Sequence, residues 1–376
     1  MTVPVERMNT QVVADPAELN IDMWKLDVLR RRIELEVEHG PLPSAQVAVA
    51  RHNRLVASWS WGAAWPRYLL QSVGRTYVAS AVWKLIGEGR IDITAPVSSV
   101  IPEFGTNGKD SVTIEQVLTH TAGFPFAPLG YPKMADRELR LQAFSKWRLE
   151  YPPGERLQFH LTSAAWVIAE LVERITGKPL PEYLSREIAE PLGLGFGLGV
   201  SLDDQRETVA PMVCVDGDDA EVDPWGPWYL DNADVVTAGE PAHGVVASAA
   251  DVALHYQALL HSPLWAPGAV EDAIRPRVTD VPAGEQTYGG SAKRVGIGLF
   301  VVVAGPDAGS WMPSVASPRT FGHGGAAYQL GFCDPDSGVS FALLTNGYPA
   351  SGYDYSPRGV AAITNIGNLA ADLTKD

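Results

Sequence analysis

Gln71-Ser-Val-Gly-Arg-Thr-Tyr-Val-Ala-Ser-Ala-Val-Trp-Lys-Leu-Ile-Gly-Glu88 is the stretch around which the 376-residue chain is organised. Val78, Ala79, Ala81, Val82, Leu85 and Ile86 recur at helical spacing, and Gly87 and Gly89 stand where a helix stops. Ser72 falls on the first turn of this buried helix. There the free backbone N–H groups and the positive end of the helix dipole favour an attacking or developing oxyanion. The same place suits a serine that merely caps the helix. Residues elsewhere in the chain have to decide between nucleophile and cap.

Upstream of this stretch, Met23, Leu26, Val28, Leu29, Ile33, Leu35 and Val37 predict an amphipathic helix over Asp22–His39, ended by Gly40-Pro41. Ala45–Ala50 and Leu55–Trp61 read as two strands around a polar Arg51-His52-Asn53-Arg54 turn, a hairpin. Downstream, short and long helices are expected at Thr113–Thr119, Asp136–Trp147, Thr162–Thr176, Leu180–Ile188 and Asp251–His261. Strand-like runs return at Val295–Val303, Tyr328–Asp334 and Val339–Asn346, and a last helix starts near Pro357. Strands at both ends of the chain and helices between them imply an α/β (α+β) fold. An antiparallel sheet assembled from both termini would be flanked by helices and carry an inserted, mainly helical region. On this reading residues 1–70 and 245–376 form a discontinuous sheet domain, and 71–244 the helical one. A ligand cleft belongs between them. Residues 201–240 are acidic, loop-rich and aromatic, with Trp225, Trp228 and Tyr229. That is long for a connector and reads either as a lid or pocket wall or as a surface insertion.

Composition narrows the function. A net charge of −15 argues against nucleic acid and anionic membrane surfaces as partners. Two cysteines, Cys214 and Cys333, make no disulfide scaffold and no metal-ligand spacing. The polar N-terminus has no apolar signal region, and no stretch approaches the roughly 18–20 apolar residues of a membrane span. The expectation is a cytoplasmic protein that needs no cofactor or metal. The sequence does not set its oligomeric state.

Seven segments in order carry a resemblance. They are Leu-Pro-Ser-Ala-Gln-Val-Ala-Val-Ala (42–50), Leu-Thr-His-Thr-Ala-Gly-Phe (118–124), Pro-Gly-Glu-Arg (153–156), Ile-Ala-Glu-Pro-Leu-Gly-Leu (188–194), Gly-Val-Val-Ala-Ser-Ala-Ala-Asp (244–251), Phe-Gly-His-Gly-Gly (321–325) and Leu-Leu-Thr-Asn (343–346). With Ser72 they resemble the class C β-lactamase and penicillin-binding-protein-like serine hydrolases, a family of esterases, peptidases, β-lactamases and acyltransferases. The resemblance implies the β-lactamase/transpeptidase-like fold and a serine nucleophile at Ser72.

Two of the three motifs depart from the family pattern. Its Ser-x-x-Lys reads Ser72-Val73-Gly74-Arg75, and arginine stays charged where lysine could lose its proton. Arg75 therefore either supports an oxyanion or substrate, or fills space beside an acid. The family's Tyr-x-Asn falls on Phe159-His160, which has no tyrosine hydroxyl. His160 is then the titratable group of the motif, either a base for Ser72 or a histidine hydrogen-bonded into its loop. The third motif, His323-Gly324-Gly325, matches the His-x-Gly of esterase-like members. Its glycines serve either close approach to substrate or a tight turn. By resemblance the N–H groups of Ser72 and Ala326 form an oxyanion hole. The resemblance marks the segment of His120 as structural, which implies a buried, hydrogen-bonded residue, and His243 stands next to the Gly244 motif where it could border the cleft. Trp225, Trp228 and Tyr229 could hold an apolar acyl group or simply pack.

The expected function is serine-dependent acyl transfer through a Ser72 acyl-enzyme, on a small-molecule ester, lactone or amide. Water, an amine or an alcohol would release the product. The competing expectation is a repurposed, non-hydrolytic member that binds a small molecule.

Overall fold

Alternation along Ala45–Arg51 (β1) and Arg54–Trp61 (β2) makes the first hairpin, with Arg51 opposite Arg54. Its two turn residues, His52 (φ 50°) and Asn53 (φ 60°), take the left-handed conformation that a two-residue hairpin turn requires. The computed structural model describes residues 4–216, 232–278, 296–305, 312–350 and 356–374. After the hairpin come the short strands Tyr68–Leu69 (β3), Gly197–Leu198 (β4), Val213–Cys214 (β5) and Val245–Ala247 (β6). Gly296–Ile297 (β7), Val302–Val303 (β8), Phe321–Gly325 (β9) and Gln329–Cys333 (β10) follow. The last are Val339–Thr345 (β11) and Gly347–Tyr348 (β12).

The main sheet has the order β2-β1-β11-β10-β9-β8-β7, with antiparallel pairing at every rung. The N-terminal hairpin thus joins a C-terminal meander through β1 and β11, as expected from strands at both ends of the sequence. β11 is buried along its whole length because both faces of the sheet are covered. Val47, Val49, Phe341 and Leu343 point to a core shared with the helices Met23–His39 and Pro357–Ala371. Ala48, Ala50, Ala342 and Leu344 point the other way, towards the helix Ala249–His261 and the interior of the helical region. Small side chains on that second face let the helix lie close, and Gln257 reaches from it to the Ala50 carbonyl (3.3 Å) and Ser340 Oγ (2.9 Å).

Helix ends follow local chemistry. Asp22 caps Met23–His39 by accepting from Trp24 N (2.8 Å), and Thr113 with Gln116 forms a reciprocal cap on Ile114–Leu118. Ser248 and Asp251 do the same for Ala249–His261. The serine helix, Arg75–Gly87, packs against the strongly amphipathic Ser163–Thr176.

Two expectations change. Of the run expected as one strand over Val295–Val303, the described residues from Gly296 onward form two, β7 and β8, which fold back on each other with Gly296 opposite Val303 and Ile297 opposite Val302. The reversal is held by Phe300 (φ 67°), whose N–H donates to the Leu118 carbonyl at 2.8 Å. Leu180–Ile188 is a short α-helix, Leu180–Leu184, that widens into a π turn, Ser185–Ala189. Of the 201–240 segment, Trp225, Trp228 and Tyr229 lie outside the described residues. Its two ends are the short helices Leu202–Thr208 and Ala233–Thr237, tied together by Gln205 Nε2 on Thr237 Oγ1 (2.9 Å). Among the described residues, no helix is long and apolar enough to cross a membrane.

Candidate active site

A small antiparallel sheet, β3-β6-β4, positions Ser72. Tyr68 pairs with Ala247 and Leu69 with Val246, and Leu70 N carries the pairing one residue further by donating to the Val245 carbonyl (2.8 Å). The chain then turns sharply at Gln71 (φ 50°) into a 3₁₀ turn, Gln71–Gly74, which runs directly into the serine helix. Ser72 lies in that turn, 8% exposed, and neither the turn nor the helix receives a side-chain cap. The helix-capping alternative for Ser72 is therefore set aside: the serine precedes the helix without closing its end.

The turn rests on the main sheet through two glycines. A Cβ on Gly325 would stand 3.1 Å from the Leu70 carbonyl oxygen, and one on Gly331 would stand 2.7 Å from Val73 Cγ1. Only bare backbone at these points of β9 and β10 lets the serine turn come so near. After Gly325 the chain reverses through Ala326, Ala327 (φ 62°) and Tyr328 (φ 58°). Among the described residues, neither Ser72 N nor Ala326 N donates to a backbone carbonyl.

Arg75, one helical turn beyond the serine, is completely buried. Its Nη2 donates to the Leu161 carbonyl, and its guanidinium carbon lies 4.5 Å from the Phe159 ring centre and 5.2 Å from that of Phe300. Four buried imidazoles feel this charge. Burial, helped by Arg75, takes His323 down to about 3. His160 also falls to about 3 through burial, against the Gln158 carbonyl contact that raises it and with Arg75 lowering it further. His120 is pushed well below its ordinary value by burial and then by Arg75. Burial lowers His243 too, against the pull of Glu240. All four rings are neutral around one permanent cation.

The four imidazoles differ in what their nitrogens do. His160 Nδ1–H donates to the Gln158 carbonyl (2.7 Å), and Nε2 accepts from Phe124 N (3.1 Å). With both nitrogens committed, His160 has no lone pair for Ser72, so the expectation of a catalytic base there is corrected to that of a loop anchor. His120 Nδ1 accepts from His160 N (3.1 Å), which fits its expected buried role. His323 Nδ1–H donates to the Gly324 carbonyl (2.5 Å). His243 Nδ1 lies 3.0 Å from Glu240 Oε2, and both residues are buried. Phe159 sits amid this group, its ring centre 4.5 Å from that of His120 and 5.7 Å from that of His323.

Residues 29–364 match the Beta-lactamase family model. The chain belongs to the β-lactamase family, a family of serine hydrolases. It is 30% identical over 215 residues to a provisionally named D-alanyl-D-alanine carboxypeptidase of Salmonella agona. That match takes in 48% of this chain and 49% of the relative, so the chain spans about half the length of the curated relatives it matches. Two solved structures show the likeness of fold. A family VIII carboxylesterase superposes with a TM-score of 0.77 over 95% of this chain and 98% of its own, at 20% identity. EstCE1, a hydrolase with promiscuous acyltransferase activity, gives 0.70 over 92% and 98%, at 19% identity.

In this β-lactamase-family chain the structure brings together Ser72, Arg75, Phe159, His160, His323, Gly324, Gly325 and Ala326, while Trp228 and Tyr229 lie outside the described residues. Sequence reasoning missed Phe300, because its approach to Arg75 depends on the reversal between β7 and β8. It also missed the Glu240–His243 pair. Glu-Pro-Ala-His (240–243), directly before the Gly244 motif, was the available signal.

Proposed function

We propose that the protein is a serine acyl-transfer enzyme acting on a small ester, lactone or amide. Ser72 Oγ adds to the substrate carbonyl, and the oxyanion is received by the N–H groups of Ser72 and Ala326. The leaving group departs from the tetrahedral intermediate, and water or an amine or alcohol acceptor releases the acyl group from Ser72. The observation that carries this reading is the placement of Ser72. The serine is held in a 3₁₀ turn against the glycine end of β9, ahead of a helix it does not cap, with the Ser72 and Ala326 N–H groups uncommitted. Arg75 occupies the slot of the family's lysine. It cannot take a proton, and its charge supports the developing oxyanion or anchors the substrate. The acyltransferase activity of the structural neighbour EstCE1 is consistent with release to an acceptor other than water.

A second reading, a member of the fold that binds a small molecule without acyl chemistry, draws on one observation. Neither Arg75 nor His160 can accept the serine proton. Intact-mass analysis after treatment with a fluorophosphonate separates the two. Acyl chemistry predicts one stoichiometric adduct that is missing in Ser72→Ala, and an unmodified wild-type protein supports the binding role.

A further inference from the structure

We propose that Glu240 and His243 form the acid–base pair of Ser72, with His243 Nε2 as proton acceptor and Glu240 as the residue that positions the ring. This rests on the acyl-enzyme reading above. The carboxylate is fixed at both oxygens: Oε2 lies against His243 Nδ1 (3.0 Å), and Oε1 accepts from Ala242 N (3.2 Å). A carboxylate at that nitrogen makes Nδ1 the protonated one and leaves the lone pair on Nε2. His243 Nε2 is buried and has no hydrogen-bond partner among the described residues. A buried acceptor left this way is unfavourable, and a reacting proton or substrate group would relieve it.

The small sheet brings the segments that carry this ring and the serine to one end of the β3–β6 pair. β3 and β6 pair as Tyr68–Ala247 and Leu69–Val246, and the Leu70–Val245 hydrogen bond extends the ladder. Past that bond both chains leave the ladder, Ser72 two residues after Leu70 in its 3₁₀ turn and His243 two residues before Val245, so the two side chains stand on segments that leave the same end of the small sheet. The titratable and charged groups that face His243 are Glu240 on its own segment, Arg75 from the serine helix and His323 from β9. No other histidine of the group is so equipped. His160 has no free nitrogen, His120 Nδ1 is occupied by the His160 N–H, and His323 is backed by a carbonyl instead of a carboxylate.

The Ser72 Oγ–H proton passes to His243 Nε2 while the Oγ–C bond forms and the carbonyl π pair moves onto oxygen. The imidazolium then gives that proton to the leaving oxygen or nitrogen as its bond to carbon breaks. In the second half the acceptor's proton goes to Nε2 and returns to Ser72 Oγ.

The test is the second-order rate of fluorophosphonate labelling at Ser72, followed by intact mass, in H243Q, E240Q, E240D and H243G. General-base loss predicts a fall of about 10²-fold or more for H243Q. E240Q should show a smaller fall with an altered pH–rate profile, partly restored in E240D. Added imidazole should recover labelling in H243G, which a merely structural defect would not allow. Wild-type protein that labels while H243Q labels within about twofold of it overturns the assignment and leaves the acyl-enzyme reading standing. So does an H243G variant that is folded by circular dichroism but insensitive to imidazole. Wild-type protein that never labels overturns both.

Discussion

Arg75 and His160 occupy the two positions where a proton acceptor was to be sought, and each is excluded by its own chemistry. A guanidinium stays protonated at any practical pH. The His160 ring is spent on Gln158 and Phe124, which fixes the loop carrying Phe159 against Arg75. H160N should therefore cost stability, about 1–3 kcal/mol from a buried donor left without its acceptor, measured by urea unfolding. The folded fraction should still label at Ser72 within about fivefold of wild type, far from the deficit expected for general-base loss. A hundredfold loss in fully folded H160N would return the base to this histidine. Ser72, Arg75, His323 and the glycines were legible in the sequence because each lies in a short local motif. His243 was legible only as a residue that could border the cleft and Glu240 not at all, since their pairing is a buried side-chain contact that no periodicity announces.

The element that makes the site is the contact between the Ser72 turn and strands β9 and β10. Gly331 has no room for a methyl group: its Cβ would meet Val73 Cγ1 at 2.7 Å, one residue from the nucleophile. G331A should destabilise the protein by about 1–3 kcal/mol through overpacking and slow Ser72 labelling. Shortening the opposing side chain in G331A/V73A should recover much of both, as read by thermal melting and labelling rate. A double variant no better than G331A would show that the turn is not seated on this strand. At this scale the hairpin β1–β2, the buried β11 and most helices followed from alternation, caps and glycine stops. The single strand expected over Val295–Val303 did not. An apolar run cannot reveal that Phe300 reverses it, bonds to Leu118 and brings its ring to Arg75.

For the whole molecule, the histidines set a pH dependence. His160, His255 and His323 are each buried and held at about 3, below the ordinary value of 6.5. Unfolding frees them to bind protons below pH ~6.5, so the unfolded state binds more protons and stability falls as the pH is lowered. The slope can reach ~1.4 kcal/mol per pH unit for each such group. An acidic chain of net charge −15 loses self-repulsion over the same range, so repulsion cannot be the cause of the loss. The midpoint of urea unfolding should drop between pH 7 and 5; a flat or rising midpoint would show that these rings are not neutral in the fold. The architecture itself, a sheet from both termini with helices inserted, was visible in the sequence, because strands and helices segregate along the chain.

The central claim is that Ser72 becomes acylated. Brief reaction with a p-nitrophenyl ester, an acid quench and intact-mass analysis test it most directly. One acyl group per chain is expected, located on the peptide containing Ser72, turning over with time and absent from Ser72→Ala. Ester cleavage with no trapped acyl group, or an equal adduct in Ser72→Ala, would contradict it.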